Sequence, residues 1–205
     1  AVGFSAAAGI SALALLAFSG EQAVVRLPVG DYFGALTFVP DGLGVLLAIN
    51  ATVIGCLAVI FSIDYMRGDP QLGRYYFMVL FFIGGMAGLV LTGSLLFLFV
   101  FWEITALCSY ALISFHNDDP KAVAGGIKAL IMTQLGGIGL LIFAALAYTY
   151  LGSYDLNNFI AQAGTLPKNI LALMAFGSLA AAAAKSSQFP FFTWLPDAME
   201  APTPI

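Results

Sequence analysis

The stretch Phe176-Gly-Ser-Leu-Ala-Ala-Ala-Ala-Ala-Lys185-Ser-Ser-Gln-Phe-Pro190 sets an ammonium behind an uncharged run, 169–184, and five positions before a proline. If that run crosses a bilayer, the charge costs roughly 2.5–3.5 kcal/mol on insertion scales. A charge held at that cost marks a place where something binds or moves. Whether the run crosses a bilayer therefore decides the fold, and composition answers it.

Apolar residues make up 61% of the 205 and charged residues 9%, with a mean hydropathy of +0.98. Soluble domains carry about 25% charged residues, so this chain lacks the polar side chains to cover a water-facing surface. The net charge of -4 comes from few groups, most of them between apolar runs, and nothing in it points to nucleic acid. Cys56 and Cys108 each sit inside an apolar run without a CxxC spacing and read as small buried side chains, not a disulfide or a metal pair. HExxH, Walker, Rossmann and Fe–S spacings are missing, so no metal or cofactor site is expected within the chain.

A membrane span needs about 20 mostly apolar residues. The runs 1–19, 43–63, 75–92, 95–115, 126–151 and 169–189 qualify. They predict an all-α, polytopic transmembrane bundle of about six helices, a single transmembrane domain over 1–205, with the last helix broken near Pro190. The first run lacks the basic start of a signal peptide and reads as a helix of the bundle. Thr92-Gly93-Ser94 must turn the chain between the nearly continuous third and fourth runs. Alternating topology then puts Arg67, Arg74 and Lys121 on one side and Arg26 and Lys168 on the other. The richer side is the cytoplasmic one under the positive-inside rule.

Inside the runs, ionisable residues stand out one by one. Glu103 has eight uncharged residues before it in its run and twelve after it, which places it near the bilayer midplane. Ala106, Leu107 and Tyr110 follow at the spacing of a common helical face. Lys185 precedes Ser186, Ser187, Gln188 and Pro190, and the proline removes a backbone donor. Freed backbone groups at membrane depth are tolerated only inside protein or beside a wet cavity, so this break reads as a hydrated site. Proton affinity in such surroundings depends on how near an opposite charge stands, which makes Glu103 and Lys185 candidates for proton transfer. The alternative is a static pair that pins two helices together.

Lys128 lies early in the fifth run and is either a further relay or a side chain snorkelling to the Lys121 side. His116 sits in an acidic loop, and Asp197 flanks a Pro-rich re-entry with Glu200; both are accessory candidates whose simpler roles are solvation and interfacial capping. Asp118, Asp119 and Pro120 form a helix-start signal. Trp102, Trp194, Tyr75 and Tyr76 suit packing or an aromatic belt.

Phe101-Trp-Glu103-Ile-Thr-Ala-Leu-Cys-Ser-Tyr-Ala-Leu-Ile113 and Ala184-Lys185-Ser-Ser-Gln-Phe-Pro-Phe-Phe-Thr-Trp-Leu-Pro-Asp-Ala-Met-Glu-Ala-Pro-Thr-Pro204 resemble the antiporter-like membrane subunits. These are shared by respiratory complex I, Mrp-type sodium/proton antiporters and membrane-bound hydrogenases. Asp41-Gly-Leu and Asp64-Tyr-Met-Arg-Gly68 fit the same pattern. The resemblance implies that Glu103 is the family's glutamate on its fifth helix and Lys185 the lysine on its broken seventh. Lys128 falls where a further lysine is frequent on the sixth. It also implies a fragment of a larger subunit in a prokaryotic inner membrane, with other membrane subunits, the lipid bilayer, protons and possible Na+ as partners.

Thr92-Gly93-Ser94 departs from the family's Ser-Asp-Asn, and Gln134 and Gly137 stand where distal complex I subunits carry arginine and aspartate. These differences, with Phe189-Pro190 and Glu200-Ala-Pro-Thr-Pro204, lean toward the Mrp A-subunit branch. The expected function is proton translocation, with Na+ as a candidate second ion, in a multisubunit antiporter. A pumping subunit of an NADH:quinone oxidoreductase or hydrogenase, and a structural subunit with a static ion pair, are the alternatives.

Overall fold

Aspartates start several of the helices. Asp41 Oδ1 accepts from the Gly44 N–H at 2.6 Å and opens α2 (Gly42–Tyr65), one helix beyond α1 (Val2–Ala17). Such caps satisfy amide donors that the first turn leaves free. α3 (Leu72–Leu91) and α4 (Leu95–Ile113) follow, separated by the expected turn at Thr92-Gly93-Ser94. Asp119 accepts from the Lys121 N–H at 2.9 Å, with Pro120 in the first turn, so α5 (Pro120–Leu151) begins six residues before the apolar run at 126. Gly152 ends it in the left-handed conformation, at φ 66°. Asp155 caps the short α6 (Leu156–Gln162), and α7 (Lys168–Lys185) completes the set. The computed structural model describes residues 2–17, 24–30 and 32–202; Glu21, Asp31 and residues 203–205 lie outside them.

The bundle is helical as expected, and the connection before α2 carries a β-hairpin. β1 (Val25–Gly30) pairs antiparallel with β2 (Gly34–Phe38), Val25 opposite Phe38 and Leu27 opposite Leu36. Its alternation is poor because β1 is exposed on both faces. The hairpin is stitched to the α3–α4 turn. Gly93 N–H donates to Thr37 O at 2.8 Å and Leu95 N–H to Tyr154 O at 2.8 Å. The starts of α2 and α4 and the ends of α3 and α5 therefore share one end of the bundle.

Among the described residues, four helices, α2 to α5, are long and apolar enough to cross a membrane. The described part of α1 has 16 residues, and α7 has 18 with Lys168 and Lys185 at its two ends. Large apolar side chains cover the outside, among them Leu57, Phe61, Phe77, Ile131, Ile138 and Phe176. In water such a surface would aggregate; in lipid it is the expected outer face.

α5 packs between α4 and α7. A Cβ on Gly177 would stand 2.6 Å from the Gly139 carbonyl oxygen, and one on Gly136 would stand 2.6 Å from Ala184 Cβ. Small residues thus let α5 and α7 approach backbone to backbone, the usual packing solution where hydrophobic drive between helices is missing.

The seventh helix stops earlier than the 169–189 run suggested. Lys185 is its last residue, Ser187 adopts φ 55°, and the Phe189–Pro190 peptide is cis. The chain continues through 3-10 turns at Phe192–Trp194 and Asp197–Glu200. Polar residues after Lys185 and the missing proline donor remove what a further helical turn needs.

Candidate functional site

Glu103 lies at the middle of α4 and points at α5. Its Oε2 accepts a short hydrogen bond from Gln134 Nε2. A Cβ on Gly137 would overlap Glu103 Oε1, so the glycine makes room for the carboxylate. Oε1 itself is buried without a hydrogen-bond partner among the described residues, as is the adjacent Trp102 Nε1. Ala106 is buried as the shared-face reading expected, whereas Leu107 is 52% exposed and faces outward.

Lys185 reaches α4 from the end of α7. Its Nζ donates to Thr105 Oγ1 at 2.9 Å and stands 5.5 Å from the centroid of the Trp102 ring. Thr105 is fully buried. A hydrogen bond to a charged group contributes about 1.5–3 kcal/mol, and a cation–π contact about 0.5–2 kcal/mol. A cation in the last turn also meets the negative end of the helix dipole. Together these offset an insertion cost of roughly 2.5–3.5 kcal/mol. Trp194 Nε1 donates to the Ala184 carbonyl at 3.1 Å and satisfies part of the open helix end.

Lys185 thus meets the same turn of α4 that carries Glu103. No ion pair joins them; the described ion pairs are Arg26–Asp155 and Lys128–Asp197. Glu103 and Lys185 are each held by a neutral partner, on different faces of one turn of α4.

Lys128 ends on a carboxylate of the segment that follows α7. Its Nζ meets Asp197 Oδ2 at 2.8 Å, tying α5 to the turn beyond the α7 break. A Cβ on Gly125 would stand 2.7 Å from Asp197 O, so the turn lies directly against α5. Asp197 is thus a partner in an ion pair with a neighbouring helix. Both side chains are over a third exposed, so the pair is worth little to stability. His116 is exposed in the loop after α4, against the Phe115 ring, and is not brought to Glu103 or Lys185.

Sequence reasoning missed Thr105 and gave Trp102 a packing role. The available signal was their i, i+3 spacing beside Glu103 in an otherwise apolar run. Gln134 and Gly137 were noted only as departures from a pattern, and the structure sets both against the Glu103 carboxylate.

Comparison with known proteins bears on this arrangement. Residues 92–205, which hold Glu103, Gln134 and Lys185, match the family described as NADH:quinone oxidoreductase/Mrp antiporter, TM. The chain belongs to that family. Residues 27–76 match the N-terminus of chain 5 of NADH-ubiquinone oxidoreductase (complex I). Among relatives of this antiporter family, the Na(+)/H(+) antiporter subunit A1 of Staphylococcus saprophyticus is 42% identical over 168 residues, covering 80% of this chain and 21% of that protein. The Staphylococcus haemolyticus subunit A1 is 41% identical over 166 residues, with the same coverage. The chain spans about a fifth of the length of the subunits it matches.

Among solved structures, the Mrp complex of a Dietzia species superposes with a TM-score of 0.89 at 32% identity, over 98% of this chain and 22% of that one. The membrane-bound sulfane sulfur reductase, an archaeal respiratory membrane complex, superposes with a TM-score of 0.88 at 22% identity, over 99% and 42%. The latter likeness is one of fold alone. As a member of the family this chain is an integral membrane subunit, and both structural neighbours are parts of multisubunit membrane complexes.

Proposed function

We propose that this chain is part of an Mrp-type Na+/H+ antiporter subunit, one transmembrane domain of a longer protein, and that Glu103 and Lys185 carry its proton translocation. One observation supports this above the others. A carboxylate in mid-helix and an ammonium at a helix break flank the same turn of α4, each on a neutral hydrogen-bond partner.

Bringing the two together lets each charge stabilise the other. Separating them leaves each dependent on neutral groups in a low-dielectric setting, where charge–charge interactions are strong. Changing that separation therefore changes where a proton is most stably held. Lys185 passes its proton onward, and Glu103 is the group whose approach or retreat sets the timing. Lys128 and Asp197, joined at 2.8 Å, secure the broken segment against α5 and form the next ionisable station beyond it. His116, exposed in the loop after α4, has an accessory role. Other membrane subunits complete the path.

The static-clamp reading is disfavoured because a clamp needs contact and the two side chains are bonded elsewhere. Close relatives among antiporter A subunits favour an antiporter over a redox-driven complex.

The test replaces Glu103→Gln and Lys185→Met in the intact complex. Cation-driven proton movement is then measured in everted membrane vesicles, with complex assembly followed on native gels. Both variants should assemble and lose transport. Wild-type transport in either would overturn the assignment.

A further inference from the structure

We infer that Thr105 and the face of Trp102 form a cradle that parks the Lys185 ammonium away from Glu103, and that Thr105 is the positioning residue of the translocation step. This rests on the Glu103/Lys185 reading above.

The hydroxyl of Thr105 has one proton to donate. That proton goes to the Trp102 carbonyl oxygen at 2.8 Å, within the same helix. A helical threonine satisfied in this way needs nothing further. Its lone pairs nevertheless accept from Lys185 Nζ at 2.9 Å, across 80 residues of sequence. With its only proton committed, the hydroxyl faces Lys185 purely as an acceptor. The indole ring stands 5.5 Å from the same nitrogen, where the ring quadrupole attracts a cation.

Geometry then explains why parking excludes pairing. Thr105 and Glu103 are two residues apart on α4, and residues at that spacing do not share a helical face. An ammonium bonded to Thr105 is therefore not bonded to Glu103, which is held toward α5 by Gln134. Lysine has a flexible four-carbon stem, so one side chain has two stations around one turn. If the hydroxyl is removed, Glu103 is the strongest polar partner left within reach. The ammonium should then settle on the carboxylate and stay there.

The test uses the intact complex with Thr105→Val, which keeps shape and removes the hydroxyl, and Thr105→Ser, which restores it. Transport in everted vesicles is measured alongside labelling of Glu103 by dicyclohexylcarbodiimide, read by mass spectrometry. This reagent attacks a protonated carboxyl. Thr105→Val should assemble, lose transport by about tenfold or more, and label Glu103 more slowly; Thr105→Ser should recover most of both. If Thr105→Val does not assemble, Thr105→Ala is read the same way. Wild-type transport and labelling without the hydroxyl would overturn the inference. So would equal loss in Val and Ser with unchanged labelling, which would mean packing alone. If Glu103→Gln and Lys185→Met are inactive while Thr105→Val is not, only the cradle fails. If those two are active, the underlying reading fails with it.

Discussion

Gly137 shows how a single missing methyl shapes the site. It lies on the face of α5 that meets Glu103, and a Cβ there would occupy the place of Oε1. Gly137→Ala should therefore push the carboxylate off Gln134 while leaving the helix intact. Alanine is the better helix former by about 1 kcal/mol, so a loss cannot come from a weakened helix. The displaced hydrogen bond involves a charged group and is worth about 1.5–3 kcal/mol. We expect normal assembly on native gels and a clear fall in vesicle transport; an unchanged rate would show that the position of Glu103 against Gln134 does not matter. The charged residues were legible in the sequence because an ionisable group in an apolar run is conspicuous. Thr105 and Gly137 were not, because a hydroxyl or a glycine in a helix has many ordinary explanations. Their importance comes from what stands opposite, on helices distant in the chain.

At the scale of elements, the crossing of α5 and α7 sets where Lys185 arrives. Gly139 and Gly177 face each other there with backbone on both sides, so neither neighbour can swing aside. Gly177→Val should force the helices apart, at an overpacking cost of about 1–3 kcal/mol. The expected result is a lower temperature of heat-induced aggregation for the purified complex, together with reduced transport as Lys185 shifts from Thr105. Gly84→Ala is the control, since a Cβ there meets nothing within 4 Å. Equal stability of the two variants would count against a tight crossing. The existence and order of the long helices could be read from apolar run length, and the Asp119-Pro120 start from its capping chemistry. The hairpin could not, because its first strand is exposed on both faces and has no burial period to reveal it. The break near Pro190 could be read from the proline and the polar residues before it, whereas the end of the helix already at Lys185 is set by the backbone, with Ser187 at φ 55°.

At the scale of the whole molecule, the bundle has two distinct ends. Ser94 bridges Asp155, and Phe38 bridges Thr92, so the hairpin, the α3–α4 turn and the start of α6 lie together. The α2–α3 and α4–α5 connections lie at the other end, as four consecutive antiparallel helices require. That end carries Arg67, Arg74 and Lys121, against Arg26 and Lys168 at the hairpin end. The positive-inside rule assigns the first group to the cytoplasm. The alternation of the helices rests on the bridges, and the orientation on the three-to-two charge excess. Two exposed positions report the two ends: Asn117 in the α4–α5 loop and Tyr32, 82% exposed, in the hairpin turn. Each is replaced by cysteine in a complex whose Cys56 and Cys108 are changed to alanine. A membrane-impermeant maleimide should label Tyr32→Cys in intact cells and Asn117→Cys only in everted vesicles. The reverse pattern would invert the orientation and leave the fold standing. Labelling of both from the same side would break the alternation, and with it the placement of Glu103 at mid-membrane on which the proposed proton path depends.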